Sequence, residues 1–543
     1  MALGTYQDGR WHVAASVNVA RADCATNIRR YDQRPASYDA MIRASAARHA
    51  DREAVVCGDR RVTWAEFDAM IERTACGFIA AGLNPGDRMC VMLDNRLEYL
   101  VAVLGGIRAG GIVIPLGTRL GPADVAHIVA DATPVLAVTA SEWRAKLPDG
   151  GSLRRVFLVD ESGGEDEFAA VLDSAPAPLP TLARDAVAMI FYTSGTTGKP
   201  KGACLTHDNF VHTCLHYFYA LAIDVPLRSV LVVPGTHIAG FGPLASVTMA
   251  SGGTIVMMRQ FDTEELLSVI AREKVTYAVM VPSMYQLIVM NSSVGAHDIS
   301  SWKYGVYGGA IMPPAVIERF SNVAPRLRMI NAYGATETCA VCTIIPPERT
   351  KEAPASVGLS LECDDIIIVA DGRQVEAGAS GELWIRGPNV SPGYWNDPEA
   401  TARSFEDGYW KSGDVGHRDE TGLITISDRL KDMINRGGFK VFSAEVENAL
   451  MAHDGVADCA VVGVPDPVLG EKSCAIITSG STVPTGDELK RYLAERIADY
   501  KIPDFWLITS EPIPRNQNGK VQKASLRETA QRFAESQPRA KSR

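Results

Sequence analysis

The chain has no apolar run approaching the ~20 residues that span a bilayer, so no membrane-crossing helix is expected. Its first residues, Met-Ala-Leu-Gly-Thr-Tyr-Gln-Asp, lack the basic-then-apolar pattern of a secretory signal. It also lacks an excess of positive charge. Lys and Arg number 54 against 64 Asp and Glu, a formal net charge of −10. A nucleic-acid binder needs clustered cations to meet phosphates, so that class is set aside. A mononucleotide needs only a local positive site and is not excluded. Eleven cysteines are scattered without the spacing of a disulfide framework, and the expectation is a protein of the reducing cytoplasm. Cys339 and Cys342 form a Cys-x-x-Cys, but no second pair and no nearby histidines accompany them. They read as two buried, inert packing thiols. There are no internal repeats, and no biased segment beyond a polar tail after Glu535.

What is present is a globular composition, 46% hydrophobic and 22% charged over 543 residues, enough for two or more domains. From Tyr38 to about Met258, helix-like and strand-like segments alternate. Thr63, with Glu66 three residues on, makes a capping box for a helix running to about Ala81. Residues 89–93, 112–116, 135–138 and 186–190 read as buried strands, the last after an Ala/Pro-rich connector at 174–180. The rhythm predicts an α/β fold with mostly parallel strands. After Asp364 the texture changes: 366–369, the turn signal Asp371-Gly372 and 381–387 predict a small β subdomain. Beyond a charged stretch at 428–432 come a helix from Ser443, a strand at 460–464 and an amphipathic helix at 487–499. The expected division is an N-terminal domain over 1–430 and a mobile α+β domain over 431–543.

The most informative stretch is 191–202, Phe-Tyr-Thr-Ser-Gly-Thr-Thr-Gly-Lys-Pro-Lys-Gly. Glycines admit close backbone approach, hydroxyls donate hydrogen bonds, and Lys199 and Lys201 add charge, which suits a polyphosphate. It is not a Walker A loop, because Lys199 is followed by Pro200 rather than by Ser or Thr. Four other segments carry candidate chemistry. Asn331-Ala332-Tyr333-Gly334-Ala335-Thr336-Glu337 offers an aromatic face, a hydroxyl and a carboxylate able to hold Mg²⁺, although by itself it reads more readily as a turn. Asp414 follows the turn Ser412-Gly413, and a carboxylate there can accept from a ribose diol or simply close the turn. Asp428-Arg429-Leu430-Lys431-Asp432 is either a solvated face or a hinge at a domain boundary. Asn518-Gly519-Lys520 ends a polar loop near the C-terminus.

In this order and spacing the segments resemble the adenylate-forming (AMP-binding) superfamily, in its acyl-CoA synthetase or carboxylate–CoA ligase branch. The resemblance runs from about Tyr38 to Arg527. It implies a two-step reaction: a carboxylate attacks the α-phosphate of ATP to give acyl-adenylate and pyrophosphate, and a thiol then displaces AMP. It implies that Thr193, Ser194, Gly195, Thr196, Thr197, Gly198, Lys199 and Lys201 cradle the β- and γ-phosphates. Asn331, Ala332, Tyr333 and Gly334 would bind the nucleotide, with Tyr333 stacked on the adenine and Gly308, Gly309 and Ala310 as the facing wall. Thr336 would contact the α-phosphate, Glu337 would hold Mg²⁺, Asp414 and Arg429 the ribose, and Lys520 would bridge carboxylate and α-phosphate. The C-terminal domain would swing about Lys431, bringing Gly437, Gly438, Phe439 and Lys440 to a channel for the pantetheine of coenzyme A.

By the same resemblance, Pro234-Gly235-Thr236-His237-Ile238-Ala239-Gly240-Phe241 lines the acyl site. His237 is of the kind found in acyl- and aryl-CoA ligases, and no aspartate stands ready for an amino-acid ammonium. Ala239 and Gly309 suggest a roomy apolar pocket, better matched to a medium-chain, alicyclic or simple aryl acid than to a hydroxycinnamate. The implied co-substrates are ATP and coenzyme A with Mg²⁺, and the oligomeric expectation is a homodimer. Two other readings stay open: transfer of the acyl group to a carrier-protein thiol, and a non-catalytic acyl or nucleotide sensor. A sensor would be expected to have lost Lys520 or Glu337, and both are present.

Overall fold

The computed structural model describes residues 5–7, 10–12, 19–20, 28–160, 167–194, 200–291, 293–310, 312–480, 482–515 and 521–537. They form two compact units. One comprises Met1–Ile366, Trp384–Lys411 and Thr421–Leu423; the other comprises Ile367–Leu383, Ser412–Glu420 and Ile424–Arg543.

The first unit is built on two largely parallel sheets. In one, the order is Arg155–Leu158, Leu136–Thr139, Arg88–Met92, Ile112–Pro115, Val187–Ser194 and Pro200–Thr206, and only the last strand is antiparallel. In the other, Arg60–Thr63, Glu53–Cys57, Thr254–Met257, Arg228–Leu231, Tyr277–Met280, Tyr304–Tyr307 and Arg328–Tyr333 pair in that sequence, with only the first antiparallel. Strands such as Ile112–Pro115 and Tyr277–Met280 are buried at every position, the mark of parallel sheets covered on both faces. The covering helices include Trp64–Ala80, with the expected Thr63–Glu66 capping box, and Leu97–Arg108, buried at every position but Glu98.

Each sheet contains a strand flanked by its two successors. Arg88–Met92 lies between Ile112–Pro115 and Leu136–Thr139, and Arg228–Leu231 lies between Thr254–Met257 and Tyr277–Met280. The chain leaves such a strand first to one side and then to the other, which opens a crevice at its carboxyl end. Asn95 joins the two crevices. Its Nδ2 donates to the carbonyls of Leu231, Val233 and Met258 at 3.0, 3.1 and 3.0 Å, and its Oδ1 accepts from Gly235 N at 2.9 Å.

In the second unit, Phe439–Val441, Ile434–Arg436, Gly470–Ser479 and Val456–Asp466 form a sheet, with Phe505–Thr509 added parallel to Gly470–Ser479. Alternation sends Cys459, Val461, Ala475 and Ile477 into one core with Val446, Leu450, Leu489 and Leu493. Ala460, Val462, Val464, Cys474 and Ile476 enter another with Leu526 and Ala530.

Two sequence boundaries are corrected. The strand expected at 186–190 runs Val187–Ser194, into the phosphate motif itself, because Pro200–Thr206 returns alongside and pairs with it. The helix expected to reach 499 ends at Ala494; the amides of Arg496 and Ile497 both fold back onto Leu493 O, and Ile497 turns into the core.

Candidate active site

The phosphate motif is an antiparallel hairpin. Thr193 stands opposite Lys201 and Ser194 opposite Pro200. Gly195, Thr196, Thr197, Gly198 and Lys199 lie outside the described residues, as does the side chain of Ser194. The returning strand is joined by residues 393–395: Trp395 N donates to Gly202 O at 2.7 Å, and Cys204 N donates to Gly393 O at 3.0 Å. Gly202 is required by this packing, since a Cβ would lie 2.7 Å from Ile190 and 3.3 Å from the Trp395 Cβ. The contact brings Tyr394 under Lys201, whose Nζ is 5.4 Å from the ring centroid.

Tyr394 also reaches Glu337, its Oη donating to Oε1 at 2.8 Å. Burial, then the charge of Glu337 and its hydrogen bond, push the phenol well above its ordinary pKa, so it stays a neutral donor. Glu337 is buried in a tight turn that follows Arg328–Tyr333. Ala335 N donates to Thr338 Oγ1 at 2.9 Å, and Ser391 N donates to Glu337 O at 2.7 Å. Gly334 has no room for a side chain: a Cβ would sit 2.4 Å from Ala340 O. Thr336 and Tyr333 are half-buried beside it, while Asn331 and Ala332 are buried, Asn331 donating to Ser356 O. Cys339 and Cys342 are buried thiols in the same turn; Cys342 Sγ donates to Tyr333 O at 3.4 Å, and burial pushes Cys339 up to about 12. They are packing groups, as their spacing without partners suggested.

The neighbouring strand Tyr304–Tyr307 ends in Gly308 and Gly309. A Cβ on Gly308 would meet Ala332 O at 2.4 Å, so this glycine allows the two strand ends to touch. Gly309 has φ +79°, the left-handed region that favours glycine, and Ala310 is exposed beside it. Gly309 is therefore explained by its backbone, and its small size says nothing about a pocket.

The segment 234–241 leaves Arg228–Leu231 at the crevice between its flanking strands. His237 and Ile238 are half-buried and Ala239 is exposed at the start of a π-helix, Gly240–Ser246. Pro243 inside it has no N–H to give and crowds the preceding turn, which a widened π turn tolerates. Phe241 is fully buried against Tyr38 and Phe210, so it backs this wall from within the core.

In the second unit, Asp414 and Arg429 face each other across Tyr409–Arg418 and Ile424–Arg429. Lys431 offers its carbonyl to Arg527 at 2.8 Å, and Arg527 also pairs with Asp432. Gly437 and Gly438, at φ +61° and +91°, make the two-residue turn between Ile434–Arg436 and Phe439–Val441. Phe439 is exposed and stacks on Tyr500 with centroids 4.8 Å apart, and Lys440 is exposed beside it. Lys520 lies outside the described residues.

The family described as AMP-binding enzyme matches residues 42–395, and its C-terminal domain matches 445–520. This chain belongs to the AMP-binding enzyme family. It is similar to a feruloyl-CoA synthase of Amycolatopsis sp, 35% identical over 495 residues that cover 89% of this chain and 97% of the relative. It is 32% identical over 481 residues to the long-chain-fatty-acid–CoA ligase FadD13 of Mycobacterium tuberculosis, covering 87% and 93%. Among solved structures it superimposes on o-succinylbenzoate CoA synthetase of Bacillus subtilis, in complex with its acyl-adenylate, with a TM-score of 0.80 and 28% identity over 90% and 97% of the two chains. The AMP-binding enzyme is an AMP-forming acid–thiol ligase, working on ATP, a carboxylic acid and coenzyme A. Among the described residues, no helix is long and apolar enough to cross a membrane.

The residue set fits a magnesium ion held with substrate. Among the described residues no group of three or more His, Cys, Asp or Glu could hold a metal by itself. Mg²⁺ bound through one carboxylate and substrate phosphates needs no such group. Glu337 has one oxygen committed to Tyr394, and its other oxygen would take that role.

Sequence reasoning missed the strap at 387–395. Besides Tyr394 and Ser391 it contains Asn389, whose Nδ2 donates to Thr338 O at 3.1 Å. Asn209 Nδ2 in turn holds Pro388 O and Val390 O at 2.8 and 3.0 Å. Ser391-Pro392-Gly393-Tyr394-Trp395 reads as an aromatic loop, and the partner of its tyrosine is 57 residues back in the chain. Only the Pro-Gly pair signalled a fixed turn.

Proposed function

We propose that this ligase activates a medium-chain, alicyclic or simple aryl acid, and that the cluster of Lys201, Tyr394 and Glu337 marks where the ATP phosphates react. The observation that carries the reading is one tyrosine in contact with both a cation, Lys201 of the returning strand of the hairpin, and a buried carboxylate, Glu337. In the first step an acid oxygen bonds to the α-phosphorus and pyrophosphate leaves. Negative charge gathers there, and Lys199, Lys201 and Lys520 offset it, while Glu337 would hold the magnesium ion that supplies further charge neutralisation. Thr336 orients the α-phosphate. Tyr333 and the ends of strands at Gly308–Gly309–Ala310 bound the adenine, and Asp414 with Arg429 takes the ribose. In the second step a thiol sulfur bonds to the acyl carbon and AMP leaves. Gly437 to Lys440 then guide the pantetheine, after movement about Lys431 of the domain that begins there. His237, Ile238 and Ala239 bound the acyl group. We further propose a cytoplasmic homodimer, testable by fractionation and light scattering.

A screen of pyrophosphate release over short, medium-chain, aromatic, hydroxycinnamic and alicyclic acids, with and without coenzyme A, tests the reading. The expected result is release that depends on acid, with acyl-CoA accumulating and the medium or ringed acids preferred. Adenylate formation with transfer only to a carrier protein would replace coenzyme A as acceptor. Preference for ferulate would overturn the pocket argument and leave the reaction class intact.

A further inference from the structure

The tyrosine between the two charges has a role that neither charge explains. Tyr394 donates to Glu337 Oε1 at 2.8 Å, and its ring lies 5.4 Å from Lys201 Nζ. Lys201 and Glu337 are opposite charges that share this one side chain, the ammonium over its ring and the carboxylate at its hydroxyl. Were they to meet, each would neutralise the other: the ammonium would be lost to phosphate and the carboxylate to metal. The phenol gives each of them a different partner. It occupies one carboxylate oxygen with a neutral donor and leaves the other oxygen to face a cation. It gives the ammonium a π face, a weak partner that a polyphosphate displaces readily.

The ring is not free to step aside. The strap is fixed to the phosphate hairpin by the Trp395–Gly202 and Cys204–Gly393 bonds. It is fixed to the Glu337 turn by Ser391 N on Glu337 O. Tyr394 N donates to Thr401 Oγ1 at 3.0 Å, tying the residue to the helix Pro398–Ser404. The residue is thus held between two strand-end loops by main-chain bonds that do not depend on its hydroxyl.

We propose that Tyr394 is a positioning residue: its hydroxyl orients Glu337 so that one carboxylate oxygen faces a divalent cation, and its ring gives Lys201 a partner other than that carboxylate. The inference rests on the reading of Glu337 as the metal-holding group.

The test uses the full-length protein with ATP and Mn²⁺ as a paramagnetic substitute for Mg²⁺. Free Mn²⁺ is followed by electron paramagnetic resonance, so the readout is binding rather than turnover. Tyr394→Phe keeps the ring and every main-chain bond of the strap and removes only the donor. It is expected to weaken Mn²⁺ binding to the ATP complex about tenfold, the size of effect that partners of metal ligands produce, with the thermal midpoint little changed. Tyr394→Leu, which lacks ring and donor, must weaken it at least as much and raise the ATP requirement as well. In a Glu337→Gln background, Tyr394→Phe is expected to have no further effect. Unchanged Mn²⁺ affinity in Tyr394→Phe, or an equal loss in the Glu337→Gln background, would overturn the proposal while leaving Glu337 in place. If Glu337→Gln itself binds Mn²⁺ as the wild type does, the assignment of Glu337 fails and the proposal falls with it.

Discussion

Arg429 Nε stands 2.8 Å from Asp414 Oδ1, the two residues directly opposite each other in an antiparallel ladder. Asp414 is nearly enclosed, while the guanidinium is about half exposed. The arginine therefore holds the carboxylate at one edge in a fixed orientation. Ser412 Oγ accepts from Asp414 N at 3.0 Å and fixes its backbone. A pre-aimed carboxylate can accept from two neighbouring hydroxyls.

Asp414→Asn keeps the shape and removes the charge. Hydrogen bonds to a charged group contribute about 1.5–3 kcal/mol, so the KM for ATP is expected to rise at least about tenfold. The KM for coenzyme A should stay put. Steady-state kinetics with each substrate varied in turn checks this, and a rise confined to coenzyme A would remove the ribose role.

Of the two small residues, Ala239 is the one at which the acyl pocket can be tested. Gly309 sits at φ +79°, so a leucine there would strain the backbone whatever the pocket does. Ala239 has φ −63° and is exposed, so a large side chain is accepted without strain. Ala239→Trp should lower kcat/KM for long or ringed acids relative to propionate by about 1–3 kcal/mol of discrimination. If the ratio of the two values does not move, Ala239 does not border the acyl group.

The sequence carried the parts whose physics is local. The Thr63–Glu66 box, the buried runs at 112–116 and 135–138, and the Asp371-Gly372 turn all appear where their residue types require them. The turn has both residues at positive φ, as a two-residue hairpin demands. What was hidden depends on contacts between distant segments. Nothing in Asn95 announces that its amide ties the ends of two sheets together, and nothing in Tyr394 points to Glu337. The roomy-pocket argument cannot lean on Gly309 for a related reason: a glycine chosen for its backbone is indistinguishable in sequence from one chosen for its size.

The two half-reactions should separate by mutation. Lys520→Ala is expected to slow adenylation by ~10²-fold or more, because it removes a cation from the developing charge, and to leave thioester formation from supplied acyl-adenylate nearly intact. Lys431→Pro is expected to do the reverse, since proline fixes φ where the pivot must change it. Rapid-quench measurement of each step, with acyl-adenylate supplied for the second, distinguishes them. Equal loss in both steps for either variant would end the division of labour.

The edge of the second sheet away from the catalytic loops is locked by charge. Glu273, buried at the end of Thr263–Glu273, accepts from Arg228 Nη2 at 2.5 Å and Arg61 Nη2 at 2.8 Å, and Glu53 pairs with the same two arginines at 2.8 and 2.9 Å. Burial alone would raise the Glu273 carboxyl, but the bonds from Arg228 and Arg61 outweigh it and bring it down to about 2. A carboxyl depressed in the fold contributes stability that is fully present above its ordinary value of about 4.5 and is lost as pH falls toward 2. Glu273→Gln leaves Arg228 and Arg61 with Glu53 but takes away the bonds to the buried carboxylate, which should cost about 1.5–3 kcal/mol near pH 7. The deficit, read as the difference in thermal midpoint between wild type and variant, should shrink steadily between pH 5 and pH 2.5. The kcat near pH 7 and 25 °C should be unchanged, because this cluster lies at the strand starts and the proposed reacting groups at the strand ends. A midpoint difference that is constant over that pH range would mean that the ionised carboxylate is not what holds this edge.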